Sequence, residues 1–320
     1  MNFCTVPRAD VGIRPYGMHT TSSISAYTDL EVLPLKFAIL GGDSRCALLS
    51  GLLAEDGHSV HTYCLEKAGL DPSVPAAGCL QSALYGADWV ILPVPAEKKG
   101  KLNAPLSAQS LDMGELIAAL WPGQTLCGGR LSPTSSLAAV RSGARVYDLM
   151  QRRAFTVGNA AITAEGAVQK LMEATPRCLM GSHVLITGWG RIASILAPRL
   201  RALGAYVSVA ARKSGDRAMA AAHDLGCCSF KALPLLIEDV DFVVNTVPAP
   251  VLEEKLLKRL KKDAVLLELA SAPGGFDSEA AQRLGLKVIA APGLPGEYAP
   301  ISAAELMRES IYAIIAEEEE

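Results

Sequence analysis

Short runs of apolar residues alternate with amphipathic segments along most of the chain. The apolar runs predict β-strands, and the segments between them predict helices that cover the sheet. The alternation begins with a strand predicted over Lys36–Leu40 and continues to one over Lys287–Ala290, with a last helix over Ser302–Ala316. The expected fold class is α/β, with two Rossmann-like doubly wound parallel-sheet domains and an interdomain cleft.

The same pattern predicts how the chain is divided. Its first stretch mixes Ser, Thr, Pro and Gly and has no apolar core of a secretory signal, which indicates a poorly ordered leader. The junction between the two α/β units is expected near the helix that Pro176 ends. The predicted parts are the leader (1–35), an N-terminal α/β domain on the substrate side (36–160), a nucleotide-binding Rossmann domain (161–300), and a C-terminal helix with an acidic tail (301–320).

Three local predictions bear on the site. A connecting helix is predicted over Thr163–Thr175, with Thr163 as its N-cap, because proline disfavours helical geometry in the residue before it. A shorter helix is predicted over Val251–Leu260. The polar residues Glu97–Asn103 are predicted to form a solvated surface turn, with a role in covering the cleft as the alternative.

Composition excludes several classes of function. The 30 basic and 33 acidic residues give a formal net charge of −3, so no broad basic surface for nucleic acid is expected. No apolar run approaches the ~18 residues that a membrane span needs. The histidines and cysteines lack zinc-like spacing, so no metal site is expected. Scattered cysteines without a disulfide framework favour a soluble, cytoplasmic protein.

A glycine-rich turn carries the clearest chemical signal. Residues 188–193 read Gly-Trp-Gly-Arg-Ile-Ala, follow a predicted strand and open a predicted helix. This is the dinucleotide-binding motif in the context that it requires, because the first glycine permits a tight turn and the second lets a pyrophosphate approach the backbone. The residues predicted to bind the nucleotide here are Gly188, Trp189, Gly190, Arg191, Ile192 and Ala193.

The following strand indicates which dinucleotide is bound. Sites that prefer NAD usually carry Asp or Glu about 20 residues further on, whereas this strand ends in Ala211-Arg212-Lys213-Ser214. Arg212 and Lys213 could pair with a 2′-phosphate, and Ser214 could donate a hydrogen bond to it. The absence of an acidic residue favours NADP, although an exposed basic turn would have the same composition.

Further loops are expected in the same crevice, because ligands of open α/β sheets bind at the carboxyl ends of strands. The loops in question follow the last three predicted strands and are rich in Gly and Pro, a composition that plain turns share. The residues predicted to contact ribose and nicotinamide are Asn245, Thr246, Val247, Ser271, Pro292 and Gly293.

Five short segments, in this order, resemble a known family. They are Gly-Gly-Asp-Ser-Arg (41–45), Thr-Ala-Glu-Gly-Ala (163–167), Gly-Trp-Gly-Arg (188–191), Ala-Ser-Ala-Pro-Gly-Gly (270–275) and Ala-Pro-Gly-Leu-Pro-Gly (291–296). Together they resemble the dipicolinate synthase A subunit, which is the dehydrogenase-like component of the spore dipicolinate pathway, over residues 36–316. Family members often read Pro-Lys-Thr-Ala-Gly after the last glycine loop, whereas residues 300–304 here read Pro-Ile-Ser-Ala-Ala and supply no lysine.

The resemblance implies an NADP-linked oxidation of dihydrodipicolinate to dipicolinate. It also implies a flavoprotein-like partner, the dipicolinate synthase B subunit, together with a place in the cytoplasm of the sporulating mother cell. In such a reaction a hydride leaves the ring for the nicotinamide while a base removes a proton. The protein then has to hold the two rings together and anchor two carboxylates.

Four residues are candidates for this substrate site. Arg45, after the first predicted strand, is the first choice for the carboxylate anchor. Asp43 could orient Arg45, act as the base, or be an ordinary helix N-cap. Thr163 and Glu165, at the predicted start of the connecting helix, are expected to face the same cleft. Glu165 is the second candidate base, although a glutamate in a first turn also suits the helix dipole.

Two other hypotheses stay open. One is a non-catalytic, nucleotide-binding scaffold or regulatory subunit for a flavoprotein partner, because no conventional catalytic His or Lys is evident in the cleft. The other is a different two-domain NAD(P) dehydrogenase of the alanine or hydroxyacid type. That enzyme would need a His or Lys base near the glycine loops, and none is obvious.

Overall fold

Two parallel β-sheets organise residues 34–319, the part of the chain that the computed structural model describes. The leader predicted over residues 1–35 lies outside the described residues except for its last two. The strands of the first domain are β1 (Lys36–Leu40), β2 (Ser59–Tyr63), β3 (Trp89–Ile91), β4 (Glu97–Lys98), β5 (Lys101–Leu102), β6 (Thr125–Gly128) and β7 (Arg145–Asp148). Its helices are α1 (Ser44–Glu55), α2 (Leu80–Leu84), α3 (Met113–Ala118) and α4 (Pro133–Arg141), and α5 (Arg153–Ala174) leads out of it.

The five strands of the first sheet are all parallel and lie in the order β2-β1-β3-β6-β7. The interior strand β1 is fully buried from Phe37 to Leu40, as its unbroken apolar sequence predicts. The strand order reverses between β1 and β3, because the chain goes out to β2 and then returns. The crevice of this domain therefore opens at the carboxyl ends of β1 and β3.

The prediction of a solvated turn over Glu97–Asn103 is right only for Lys98–Lys101, which are exposed. β4 and β5 form an antiparallel hairpin, and Leu102 and Asn103 at its end are buried. Asn103 donates from Nδ2 to the Pro95 carbonyl at 2.9 Å, and its own carbonyl accepts from the Gly42 N–H at 2.9 Å. Leu102 and Asn103 end a strongly charged segment, so the composition of that segment did not predict that they are buried. The hairpin holds the turn that follows β1.

The second domain carries a six-stranded parallel sheet in the order of the dinucleotide-binding Rossmann fold. The strands are β8 (His183–Thr187), β9 (Tyr206–Ala210), β10 (Gly226–Cys228), β11 (Phe242–Asn245), β12 (Val265–Glu268) and β13 (Lys287–Ala290). They lie in the order β10-β9-β8-β11-β12-β13. The helices are α6 (Arg191–Ala202), α7 (Ser214–Ala222), α8 (Glu254–Leu257), α9 (Ser278–Arg283), α10 (Leu294–Tyr298) and α11 (Pro300–Glu319). The α/β class and the pair of Rossmann-like sheets are confirmed.

The connecting helix α5 begins at Arg153, not at Thr163 as predicted. Thr163 is buried in mid-helix, and its hydroxyl donates to the Asn159 carbonyl at 2.7 Å. Threonine suits an N-cap, but it also tolerates a helix interior when its hydroxyl bonds the carbonyl one turn back. The true N-cap, Arg152, makes no side-chain capping bond, so the sequence has no signal at the real start.

The helix predicted over Val251–Leu260 shrinks to the single turn of α8. Its first two residues belong to a loop instead, because the N–H groups of Val251 and Leu252 both donate to the Gly275 carbonyl. A long-range backbone contact therefore overrides the local apolar pattern.

The last helix, α11, crosses back to the first domain. Met307, Ile311 and Ile314 share a buried cluster with Phe37 and Ile39 of β1. The sequence pattern predicts this helix, but it does not predict the domain against which the helix packs. The chain thus passes between the domains twice, once through α5 and once through α10 and α11. None of the helices described is both long and apolar enough to cross a membrane.

Candidate functional site

The turn after β8 has the geometry of a phosphate cradle. Gly188 has φ +89°, and a Cβ there would lie 2.8 Å from Thr246 Oγ1 and 2.9 Å from Val247 Cγ2. A Cβ on Gly190 would meet no described atom within 4 Å, and this glycine is the N-cap of α6. No side chain caps α6, so its first N–H groups remain available to an anion such as a pyrophosphate. The residues present suit the cofactor that the motif predicts.

The other residues of the motif divide between core and surface. Ala193 is fully buried and lets α6 lie close to the sheet, and Ile192 is half-buried against the same core. Arg191 is exposed at the helix start. Trp189 is half-buried, with its ring centroid 6.0 Å from that of His223 at the end of α7. The indole therefore lies between the glycine turn and α7.

The turn after β9 presents basic side chains and a helix start together. Arg212, Lys213 and Ser214 are exposed, and α7 begins at Ser214 without a side-chain cap. Arg217, which sequence analysis missed, donates from Nη1 to the carbonyls of Ala211 at 2.9 Å and Arg212 at 2.8 Å. The sequence signal for Arg217 was its position, about one helical turn after the basic residues that precede α7. Asp216 in the same turn lowers the positive potential.

Asn245 shapes the crevice from behind. Its side chain is fully buried. Its Oδ1 accepts from Thr187 Oγ1 at 2.5 Å and from the Val247 N–H at 3.1 Å, while Nδ2 donates to the Val247 carbonyl at 2.9 Å and to Glu268 Oε1 at 2.6 Å. These four bonds join the carboxyl ends of β8, β11 and β12. Both amide hydrogens of Asn245 are therefore engaged inside the protein.

Glu268, at the end of β12, is a second residue that sequence analysis missed. Its Oε1 also accepts from the Ala270 N–H at 2.9 Å, and its Oε2 accepts from the Gly275 N–H at 2.7 Å. A Cβ on Gly275 would lie 2.4 Å from the Asn245 amide, so the loop packs directly on that side chain. The sequence signal for Glu268 was its position directly after three buried apolar residues. A carboxylate in such a place requires hydrogen-bond partners inside the protein, because burying it without them costs free energy.

The loops after β12 and β13 bring the second domain against the first. Ser271 Oγ lies 3.5 Å from Nη2 of Arg130, which follows β6. Pro292 and Gly293 are exposed and lead into α10, where the Gly296 carbonyl accepts from Ser44 Oγ at 3.1 Å. The nucleotide crevice and the carboxyl end of the first sheet thus face one another.

The predicted anchor pair lies at this contact between the domains. Arg45 is buried, and it donates from Nε to Asp43 Oδ1 at 2.9 Å and from Nη2 to Asp43 Oδ2 at 2.8 Å. Nη2 also donates to the Val94 carbonyl at 2.6 Å. Asp43 is the N-cap of α1 and accepts from the Arg45 N–H. A Cβ on Gly296 would lie 2.9 Å from Asp43 Oδ2, so the last glycine loop closes directly over the pair.

The charge state of Asp43 follows from this pairing. Burial raises the pKa of Asp43, but the hydrogen bonds and positive charge of Arg45 lower it more, so the pKa lies below its usual value. A carboxylate of this kind is a weak proton acceptor and a strong partner for a guanidinium. The geometry therefore favours Asp43 as the residue that orients Arg45.

Thr163 and Glu165 are not at the start of a helix, which corrects the basis on which both were placed in the cleft. The Thr163 hydroxyl is bonded within α5. Glu165 is exposed, and its Oε1 lies 3.4 Å from Arg199 Nη2 of α6. Side chains two residues apart in a helix are rotated by about 200° around its axis. Thr163 and Glu165 therefore project from nearly opposite sides of α5.

Comparison with known proteins assigns a family resemblance to each domain. Residues 36–150 match the family model described as the N-terminal domain of the dipicolinate synthase A subunit. Residues 137–281 match the model described as D-isomer specific 2-hydroxyacid dehydrogenase, NAD binding domain. The second domain is thus of the nicotinamide-dinucleotide-binding type found in dehydrogenases.

Individual relatives resemble the whole described chain. The dipicolinate synthase A subunit of Bacillus subtilis is 27% identical over 290 residues, which are 88% of this chain and 96% of the relative. The crystal structure of the dipicolinate synthase A subunit from Bacillus halodurans has a TM-score of 0.79 at 25% identity and covers 88% of this chain and 98% of that one. A transhydrogenase from Sinorhizobium meliloti, with a TM-score of 0.62 at 16% identity over 87% of this chain and 93% of its own, shares the fold. The resemblance to the dipicolinate synthase A subunit is confirmed.

Proposed function

Because the chain resembles the dipicolinate synthase A subunit over most of its length, we propose that it is the dehydrogenase-like subunit of such an enzyme. It oxidises dihydrodipicolinate to dipicolinate with NADP as the hydride acceptor. The observation that carries the proposal is the turn at Gly188–Gly190, where position 188 accepts only glycine and position 190 opens onto the free N-terminus of α6.

Five segments of the second domain would hold the cofactor. The N–H groups at the start of α6 bind the pyrophosphate. Arg212 and Lys213, with the uncapped start of α7 at Ser214, bind the 2′-phosphate that distinguishes NADP from NAD. Thr246 and Val247 border the glycine turn, and Ser271, Pro292 and Gly293 line the side that faces the first domain. When bound, the nicotinamide accepts the hydride.

The first domain holds and orients the substrate. Oxidation removes a hydride and a proton from the dihydropyridine ring, so the ring has to be held with one carbon against the nicotinamide. In Arg45, Nε and Nη2 are taken by Asp43 and the Val94 carbonyl, which leaves Nη1 as the group for a ring carboxylate, and Asp43 fixes the direction of the guanidinium. Exclusion of water follows from the closure of the Gly296 loop over the pair.

One observation favours the second candidate, a nucleotide-binding subunit that regulates or supports a flavoprotein partner. Both proposed bases are ion-paired, Asp43 with Arg45 and Glu165 with Arg199. In that case the dipicolinate synthase B subunit carries out the proton transfer or the whole oxidation. Either role places the chain with this flavoprotein-like partner in the cytoplasm of the sporulating mother cell.

Titration of the full chain with NADPH and with NADH tests the cofactor. Quenching of tryptophan fluorescence reports binding, and a Trp189→Phe variant assigns the signal. Gly190→Asp introduces a negative charge where the pyrophosphate lies, and Gly69→Asp is the matched control because Gly69 is exposed with open space around it. We expect NADPH to bind more tightly than NADH, and only Gly190→Asp to abolish binding. Binding of neither nucleotide would refute the proposal for this chain.

Reconstitution with the flavoprotein-like partner then separates the two candidates. If the chain is catalytic, Asp43→Asn and Arg45→Lys lower dipicolinate formation while NADPH binding and the complex stay intact. Unchanged product formation in both variants would support the scaffold.

A further inference from the structure

We propose that Arg130 is the second carboxylate anchor of the site, and that it binds the far carboxylate of a planar ring dicarboxylate while Arg45 faces the near one. The inference rests on the proposed function and adds a residue that neither the sequence motifs nor the family comparisons assign.

The backbone at Arg130 is held in a conformation that arginine rarely adopts. Its φ is +57°, in the left-handed region that favours glycine. Asp148 Oδ1 accepts from the Arg130 N–H at 3.0 Å and from the Met150 N–H at 2.8 Å, so one carboxylate fixes this turn and the next. A strained residue that its surroundings hold in place is typical of a functional position.

The two glycines before Arg130 press the turn against the end of β3. A Cβ on Gly128 would lie 2.8 Å from Leu92 Cβ, and one on Gly129 would lie 2.7 Å from the Val94 side chain. Val94 is also the residue whose carbonyl accepts from Arg45. The turn that carries Arg130 and the guanidinium of Arg45 therefore both contact Val94, the turn at its side chain and Arg45 at its carbonyl.

The side chain of Arg130 points across the cleft. Its Nη2 reaches Ser271 Oγ at 3.5 Å, which is a long contact to a neutral group. Within residues 34–319 no carboxylate lies within 4.0 Å of the Arg130 guanidinium, whereas Arg45 is bound by Asp43. Arg130 thus carries an uncompensated positive charge at the mouth of the cleft, beside a loop of the nucleotide domain.

These features match the needs of a ring that carries two carboxylates. A guanidinium fork binds a carboxylate through two parallel hydrogen bonds. Arg130 would offer this fork to one carboxylate, and Arg45, whose Nε and Nη2 bond Asp43, would offer Nη1 to the carboxylate on the other side of the ring nitrogen. The contact with Ser271 would bring the bound ring toward the nucleotide crevice.

The test compares two ring acids in the full chain with NADPH bound. Isothermal titration measures the affinity for pyridine-2,6-dicarboxylate and for pyridine-2-carboxylate, in metal-free buffer. Arg130→Gly removes the guanidinium and relieves the backbone, since glycine accepts φ +57° without strain, so the variant keeps its melting midpoint. Arg130→Lys keeps the charge without the fork. Arg141→Gly, which changes an exposed arginine at the end of α4, is the matched control.

We expect Arg130→Gly to weaken dicarboxylate binding by about 10- to 100-fold, as the loss of a charged hydrogen-bonded pair predicts. The preference for the dicarboxylate over the monocarboxylate should disappear with it, Arg130→Lys should be intermediate, and Arg141→Gly should match the wild type. Equal affinities in Arg130→Gly and wild type, or no dicarboxylate binding by an NADPH-bound wild type, would overturn the inference. Failure of the wild type to bind NADPH would instead refute the proposed function on which it rests.

Discussion

The carboxylate of Glu268 holds the loop that follows β12, and Glu268→Gln tests how much that loop depends on it. The carboxylate accepts three hydrogen bonds, from Asn245 Nδ2, the Ala270 N–H and the Gly275 N–H. A glutamine has one oxygen and one NH2 group in the same space. The NH2 group of the new amide therefore faces an N–H of the protein, and two donors cannot form a hydrogen bond. The smallest loss is the bond from the Gly275 N–H, because the amide oxygen can then still accept from Asn245 and Ala270.

The expected cost follows from these bonds. One charged hydrogen bond is lost, which costs about 1.5–3 kcal/mol, and two others weaken because their acceptor is no longer charged, which brings the total to about 3 kcal/mol. We expect urea unfolding to show a loss of this size. NADPH binding should weaken too, because Ser271 is on the released loop.

The matched control is Glu309→Gln, which changes an exposed glutamate in the middle of α11 and should leave both measurements unchanged. If Glu268→Gln unfolds at the same urea concentration as the wild type, the carboxylate does not hold the loop and the account of this network is wrong.

Three further predictions concern the crevice and the pair beneath it. Gly188→Ala should destabilise the protein by about 1–3 kcal/mol and prevent nucleotide binding, because the new Cβ meets the loop after β11 at a positive φ; urea unfolding and NADPH titration measure both effects. Arg212→Ala combined with Lys213→Ala should weaken NADPH binding about 10-fold or more and leave NADH binding nearly unchanged, as parallel titrations would show. Asp43 has a lowered pKa when folded, so its pairing with Arg45 contributes stability that is fully present above the unfolded pKa of about 4 and is lost as the pH falls through the folded value. Asp43→Asn should remove that part of the acid dependence of the free energy of unfolding.

Controls for these variants come from the same chain. Gly285 also has a positive φ, +69°, but open space around it, so Gly285→Ala separates the cost of the conformation from that of the contact. Lys262→Ala removes an exposed lysine away from the turn after β9. Equal losses in the two glycine variants, an equal loss of NADPH and NADH binding in the double variant, or an unchanged acid dependence in Asp43→Asn would each contradict its prediction.

The sequence by itself determined the features that depend on neighbouring residues. Strand β1 and the glycine turn of residues 188–193 were predicted correctly, because an apolar run of strand length and a glycine after it carry their own signal. Five of the six strands of the second domain also follow from local alternation, whereas β10 and α9 were not predicted. The family resemblance rests on motifs of the same local kind.

Only the tertiary structure decided which distant residues meet. Thr163 has the residue type of an N-cap, yet it lies in mid-helix because packing extends α5 back to Arg153. Glu268 bonds Asn245 of β11, and Arg130 contacts Asp148 of β7 and Ser271 of the other domain. Helix α11 covers the first sheet although it follows the second. Amphipathic patterns show that a face is buried, but the surface that buries it is chosen by the free energy of packing the whole chain.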